Sequence, residues 1–140
     1  MLITYVKAQS IDKEFIKKIK FDGLRPYVTE LWGWDEQYQE NNFNKNFNPE
    51  NMDLIVYQNQ KIGMIRTELQ DDCLYLAEIF IDKLYRNKGI GTKIIKDLIN
   101  SNKPKPIKLQ FLKPNPVQSL YEKLGFRIID ETNSHYKMQI

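Results

Sequence analysis

The chain has 140 residues, 41% of them hydrophobic and 12% aromatic, with a net charge of +3, which suits one folded domain spanning 1–140 and excludes a disordered chain. No apolar run approaches the ~18–20 residues of a membrane span, and "MLITYVKAQS" lacks the basic head and cleavage site of a signal peptide, so no membrane partner is expected. One cysteine (Cys73) and one histidine (His135) exclude an internal disulfide, a zinc-type cluster and a Ser-His-Asp triad; no metal is expected, the lone thiol favours a cytoplasmic location, and chemistry falls to carboxylates, phenols, backbone groups or a cofactor.

In chain order, "LITYVKA" (2–8) predicts a strand. Ile11, Phe15 and Ile19 recur every four residues, so 11–20 predicts an amphipathic helix capped by Ser10 or Asp12. Residues 21–48 are aromatic-rich, with helical pieces at 24–31 and 35–43, and "NNFNKNFNPEN" (41–51) predicts a loop. Three strands follow at 53–58, 61–69 and 73–81, joined by short polar links as an antiparallel meander. A helix is expected at 89–100 and a strand at 106–112. Asn115-Pro116 then opens a second helix, with Gln118 near a capping-box position and Gly125 as its stop. "FRIID" and "HYKMQI" form a last hairpin. Strand 73–81, helix 89–100 and strand 106–112 have the length of a βαβ crossover, so those two strands should be parallel.

Charge is distributed unevenly. Residues 83–127 hold eleven Lys or Arg against Asp97 and Glu122, while the rest of the chain holds ten Lys or Arg and sixteen acids. Solvated helix faces account for part of this; a polyanionic ligand on the basic segment accounts for the bias as a whole. "YRNKGIGTK" (85–93) lies within it. The crossover sets this helix start at the end of strand 73–81, where free backbone N–H groups attract an anion. Gly89 and Gly91 allow close approach to the backbone, and Arg86, Lys88 and Lys93 add charge. The spacing fails the Walker pattern and lacks the third glycine of the dinucleotide pattern.

Arg86-Asn87-Lys88-Gly89-Ile90-Gly91 instead resembles the R/Q-x-x-G-x-G/A loop of the GNAT superfamily of acetyl-CoA-dependent N-acetyltransferases. "LAEIFIDKLYRNKGIG" is similar to that family's fourth strand running into its loop, and "NPVQSLYEKLGF" resembles its second cofactor motif. Leu84 stands where a proline is common. "LRPYVTELWGWDEQYQ" also resembles a bacterial subgroup of the family. The resemblance implies an α/β (α+β) fold: a mixed, mostly antiparallel sheet of six to seven strands with a central splayed parallel pair, and about four helices. It implies acetyl-CoA as cosubstrate, held by Ile79, Phe80 and Ile81, by Arg86, Asn87, Lys88, Gly89, Ile90, Gly91 and Thr92, and by Asn115, Ser119 and Tyr121. Tyr121 matches the tyrosine that serves as general acid.

The chemistry can be rebuilt from its requirements. A neutral amine attacking a thioester must lose a proton, the oxyanion needs a donor, and the thiolate needs a home. A backbone N–H near Ile79–Ile81 serves the oxyanion if the strand is bulged there, and an amide-rich pantetheine arm can pair between splayed parallel strands. A phenol near ~10 is a feasible proton source for a thiolate near ~8.5; alternatively Tyr121 is a core aromatic beside Leu120 and Leu124, at the border of the buried stripe. Glu78 is an acid within "LYLAEIFI", expected on one face with Leu76 and Phe80. It is either the catalytic base, acting through a water, or the partner of Arg66 in a salt bridge.

On the acceptor side, Tyr27, Glu30, Trp34 and Glu36 combine aromatics with acids and suit an ammonium group; alternatively both tryptophans, Trp32 above all, pack the N-terminal helices on the sheet. Three functions compete: an N-acetyltransferase acting on a small-molecule or peptide amine, a non-catalytic acyl-CoA sensor, and a basic nucleic-acid-binding module. The third lacks a recognised motif, so no nucleic acid is expected. A monomer or a homodimer is compatible with the sequence.

Overall fold

The strand-forming runs assemble into one seven-stranded sheet in the computed structural model, which describes residues 1–140. The strands are β1 (Ile3–Lys7), β2 (Asp53–Tyr57), β3 (Gln60–Leu69), β4 (Leu74–Ile81), β5 (Ile107–Leu112), β6 (Arg127–Glu131) and β7 (His135–Gln139), and their spatial order is β1-β2-β3-β4-β5-β7-β6. Every pairing is antiparallel except the central β4–β5 pair. Four helices flank the sheet: α1 (Lys13–Trp32), α2 (Glu36–Asn46), α3 (Ile90–Asn102) and α4 (Gln118–Lys123). The mixed fold and the parallel pair are therefore as expected. No helix is long and apolar enough to cross a membrane.

Each face of the sheet carries its own core. One cluster joins Ile55, Leu76, Leu109 and Met138 to Ile90, Ile94 and Ile95 of α3 and to Tyr121 of α4. The other joins Leu54 and Met64 to Ile16, Ile19 and Phe21 of α1 and to Phe43 of α2.

The helix boundaries need three corrections. The expected helices at 11–20 and 24–31 are one continuous helix, α1, which runs through Gly23 and Pro26. Its buried stripe is set by Ile16 and Ile19, and Ile11 stands 84% exposed before it. The loop expected from residue 41 begins later, because α2 continues to Asn46 from its cap at Asp35, whose side chain accepts the Tyr38 N–H. The helix expected to open at Asn115-Pro116 starts at Gln118 with no side-chain cap; the Asn115 N–H is spent on the Leu112 carbonyl in a turn. Gly125 ends that helix at φ +102°, as expected.

A glycine inside a helix costs about 0.5–1 kcal/mol relative to alanine, so Gly23 needs a reason. A Cβ there would lie 2.8 Å from Cδ1 of Phe80 on β4. Gly63 on β3 is tighter still, since its Cβ would meet the Phe80 carbonyl oxygen at 2.3 Å. Phe80 is thus seated by two glycines, Gly23 of α1 against its ring and Gly63 of β3 against its backbone. Gly63→Ala is expected to lower stability by about 1–3 kcal/mol, the usual cost of overpacking, read as a lower urea midpoint; an unchanged midpoint would show that β3 can move away from β4 at no cost.

Candidate active site

The parallel pair is short. Leu74, Tyr75 and Leu76 face Ile107, Lys108 and Leu109, and pairing stops there. The cause lies on the opposite edge of β4. Arg66 faces Glu78 while Thr67 faces Leu76, so Ala77 is an extra residue, a β-bulge. Beyond it β4 stays paired with β3, and β5 stays paired with β7 through Leu112–His135. Each wall of the gap is held from outside while the two walls diverge.

The bulge also corrects the expected face of Glu78. Leu76 packs in the core beneath α3 and α4, with Ile79 and Ile81 alongside, whereas Phe80 packs against the α1 and α2 core. Leu76 therefore does not share a face with Glu78 and Phe80; the extra residue reverses the alternation between them. A cavity of about 340 Å³ occupies the gap. Its walls are Leu76–Phe80 and Leu109–Leu112, with Asn115, Val117 and Tyr121 on one side and Lys20, Gly23, Leu24 and Tyr27 of α1 on the other.

Past the end of β4, the chain turns through a short 3₁₀ segment into α3. Gly89 caps α3 in the left-handed region at φ +82°, and Asn87 also has positive φ at 61°. The first helical bond is donated by Lys93 to the Gly89 carbonyl, which leaves the Ile90, Gly91 and Thr92 N–H groups without backbone partners. A Cβ on Gly91 would meet only Cδ1 of Ile81, at 3.7 Å. Of the three cations, Arg86 donates to the Ile81 carbonyl and so ties loop to strand, and Lys93 is paired with Asp97. Arg86–Gly89 are exposed, while the Ile90 side chain is buried in the core, so Ile90 can offer a ligand only its backbone. Ser119 is exposed on α4 and does not line the cavity.

Tyr121 is the most deeply buried residue of α4, not a border residue of its stripe. Its ring packs on Phe111 and Phe126 at centroid distances of 5.8 and 5.5 Å. Burial pushes its hydroxyl up to about 12. The hydroxyl has no protein partner, and no enclosed side-chain oxygen or nitrogen goes unpaired; it therefore opens on the cavity that Tyr121 lines.

Glu78 is doubly held. Oε1 accepts from Arg66 Nε at 3.0 Å and Oε2 lies 2.6 Å from Lys20 Nζ, with the carboxylate side chain 13% exposed. Arg66 also pairs with Glu68 at 2.6 Å. The salt bridge foreseen from sequence is present, with a second cation that local reasoning could not supply because Lys20 is fifty-eight residues away in the chain.

The acceptor residues separate. Tyr27 lines the cavity, and Glu30 is exposed one helical turn further along α1. Trp34 and Glu36 do not line it. Arg25 lies 4.5 Å over the Trp34 ring and 3.2 Å from Glu36, and the Trp34 indole N–H donates to the same carboxylate. The cation expected from a substrate is supplied by the chain itself. Trp34 packs edge-on against Phe21 at 5.3 Å, whereas Trp32 is 63% exposed, so the packing reading holds for Trp34 and fails for Trp32. His135, excluded from a triad by sequence, lines the cavity from β7.

Comparison with known proteins agrees with this geometry. Residues 22–137 match the family model described as acetyltransferase (GNAT) domain, and the chain belongs to that family. No curated protein sequence matches it. Its fold is similar to PaiA N-acetyltransferase from Thermoplasma acidophilum in complex with coenzyme A, at 19% identity and TM-score 0.77, covering 99% of this chain and 98% of that one. It is also similar to an N-acetyltransferase from Staphylococcus aureus Mu50, at 16% identity and TM-score 0.73, covering 98% and 100%. N-acetylglutamate synthase from Neisseria gonorrhoeae, complexed with coenzyme A and N-acetyl-glutamate, shares 14% identity and TM-score 0.63 over 99% of this chain and 35% of that one.

The raised Tyr121 hydroxyl has a stability consequence. Its folded-state value of about 12 lies above the ordinary 10.0. The neutral phenol therefore contributes stability below pH 10 that is lost as pH rises towards 12, because the unfolded chain gives up its proton first. Tyr121→Phe should lose less stability than the wild type across that interval, measured by urea midpoints; equal losses would mean that the hydroxyl is well solvated.

Proposed function

We propose that this member of the acetyltransferase (GNAT) domain family transfers the acetyl group of acetyl-CoA to a primary amine of a small molecule or peptide. The observation that carries this reading is the early end of β4–β5 pairing. It opens a cleft that has unpaired β4 backbone on one wall, the unpaired N–H groups of α3 beyond the end of that strand, and a buried phenol on the α4 side. Complexes of two structurally similar proteins with coenzyme A agree with it.

The proposed fit is as follows. The α3 N-terminus and the loop from Arg86 to Thr92 receive the pyrophosphate, Arg86 by bracing the loop and Lys88 by charge. The β4 edge from Ala77 to Ile81 receives the amide-rich arm, with Asn115 beside it. A β4 N–H at the bulge donates to the developing oxyanion. Tyr121 faces the departing sulfur. Full proton transfer from a phenol at about 12 to a thiolate near ~8.5 is uphill, so its main service is a hydrogen bond to the sulfur until solvent supplies the proton. Tyr27 and Glu30 lie on the α1 side, where the acceptor enters. Glu78 is a candidate destination for the amine proton through a water, but one of its cations must loosen first.

Two measurements test this. Gly91→Glu should abolish coenzyme A binding by calorimetry, and Gly91→Ala should weaken it while the helix gains up to about 1 kcal/mol. Unchanged affinity in both removes the anion site. Tyr121→Phe should bind acetyl-CoA normally and lose at least about tenfold in turnover, the size of one hydrogen bond to a charged group at about 1.5–3 kcal/mol; full turnover would reduce Tyr121 to packing. A wild type that binds coenzyme A and acetylates no amine would be a sensor.

A further inference from the structure

We infer that His135 accepts the proton released by the attacking amine, a role that rests on the acetyl-transfer reading above. The sheet places it for this. On β7, His135 faces Leu112 and Tyr136 faces Phe111. Tyr136 packs into the core beneath α3 and α4, 5.9 Å from Phe111, so His135 points to the α1 and α2 face. Tyr121 and His135 thus line one cavity from opposite faces of the sheet. The phenol stands where sulfur leaves, and the imidazole stands where an acceptor arrives.

Two carboxylate or imidazole groups line that cavity, Glu78 and His135. Both oxygens of Glu78 hold cations. His135 has one nitrogen in use: Nδ1 lies 2.7 Å from Ser134 Oγ, which leaves Nε2 free. The loop holds this arrangement firmly. Thr132 Oγ1 accepts the N–H groups of Ser134 and His135 at 3.3 and 3.0 Å, and the Thr132 N–H donates to the His135 carbonyl at 2.9 Å. The role requires Nδ1–H to donate to Ser134 Oγ, because only then does Nε2 carry the lone pair that a base needs.

Charges around the ring agree. Burial, and then Lys137 on its own strand, lower the imidazole below its ordinary value, so it is neutral near pH 7. Lys113 and Glu131 at the ends of β5 and β6 neutralise each other at 2.6 Å. Lys20 and Glu78 do the same within the shared cavity, and Asp130 faces Lys137 across β6 and β7. The causes that act on the ring are burial and Lys137, with no carboxylate among them.

The step balances. The amine nitrogen forms a bond to the thioester carbonyl carbon, the C–S bond breaks, and its electron pair leaves on sulfur. The nitrogen proton passes to Nε2, directly or through one water, and then to solvent. The sulfur is protonated by solvent while Tyr121 holds it.

A single histidine makes the test clean. Nitrogen NMR of the wild type at about pH 8, above the usual imidazole range near ~6.5, should show Nδ1 protonated and Nε2 bare; the opposite tautomer overturns the assignment. With acetyl-CoA and a panel of primary amines and amino acids, the acidic limb of turnover should share its midpoint with the imidazole titration. His135→Gln should erase that limb and cost at least about tenfold, with coenzyme A affinity unchanged. A His135→Gln enzyme with the wild-type rate and limb refutes the role. If the wild type acetylates nothing in the panel, the acetyl-transfer reading fails, while the tautomer still decides the state of the ring.

Discussion

Everything at this site depends on where two parallel strands stop sharing hydrogen bonds. Three residue pairs bind β4 to β5, and the next residue, Ala77, is the bulge. A sheet that loses pairing at its centre exposes backbone groups that need partners. Here that loss is confined to one edge of each strand, because β3 and β7 continue to satisfy the outer edges. The resulting cleft has unpaired main chain on rigid walls. A ligand rich in amides can replace the missing strand without remodelling anything.

The ion cluster around Glu78 follows from the same bulge. Reversing the alternation of β4 carries Glu78 from the α3 and α4 core to the α1 side. An unpaired carboxylate at 13% exposure would be costly; Lys20 from α1 and Arg66 from β3 remove that cost. Removing one partner from such a cluster is more damaging than the net worth of the pair suggests. The cluster also pins α1 across the cleft at the same level where Gly23 lets the helix approach Phe80. Position and charge are set together, so Glu78 serves as an anchor whatever share of proton transfer it takes.

Local signals were legible in the sequence, and tertiary ones were not. Strand runs and the glycine loop each lie within a few residues, and the crossover is a continuous stretch of chain; they give the sheet, the parallel pair and the α3 N-terminus. The splay itself was foreseen, but its bulge falls at Ala77 and not at Ile79–Ile81, because "YLAEIF" contains no residue that marks where alternation breaks. Helix α1 reads as two in sequence because the four-residue repeat stops at Ile19; the reason for Gly23 inside it is Phe80, which only the fold brings near. Trp34 and Glu36 looked like an ammonium site because their partner, Arg25, cannot be paired with them by pattern alone. His135 carries no local signal because its cavity is assembled from six elements.

The two loop glycines show how structure separates a folding requirement from a functional one. Gly89 is fixed by its backbone: at φ +82° any other residue is strained, although space around it is open. Gly91 is different. It sits in the first turn of α3 with ordinary helical geometry, and a methyl group there would touch only the tip of Ile81. Alanine would make a better helix by up to about 1 kcal/mol, so the fold gains nothing from glycine at this position. A residue that costs stability and fills no structural need points to something outside the chain. What Gly91 leaves open is the approach to three unpaired N–H groups, and the ligand that would use them is an anion pressed against the backbone.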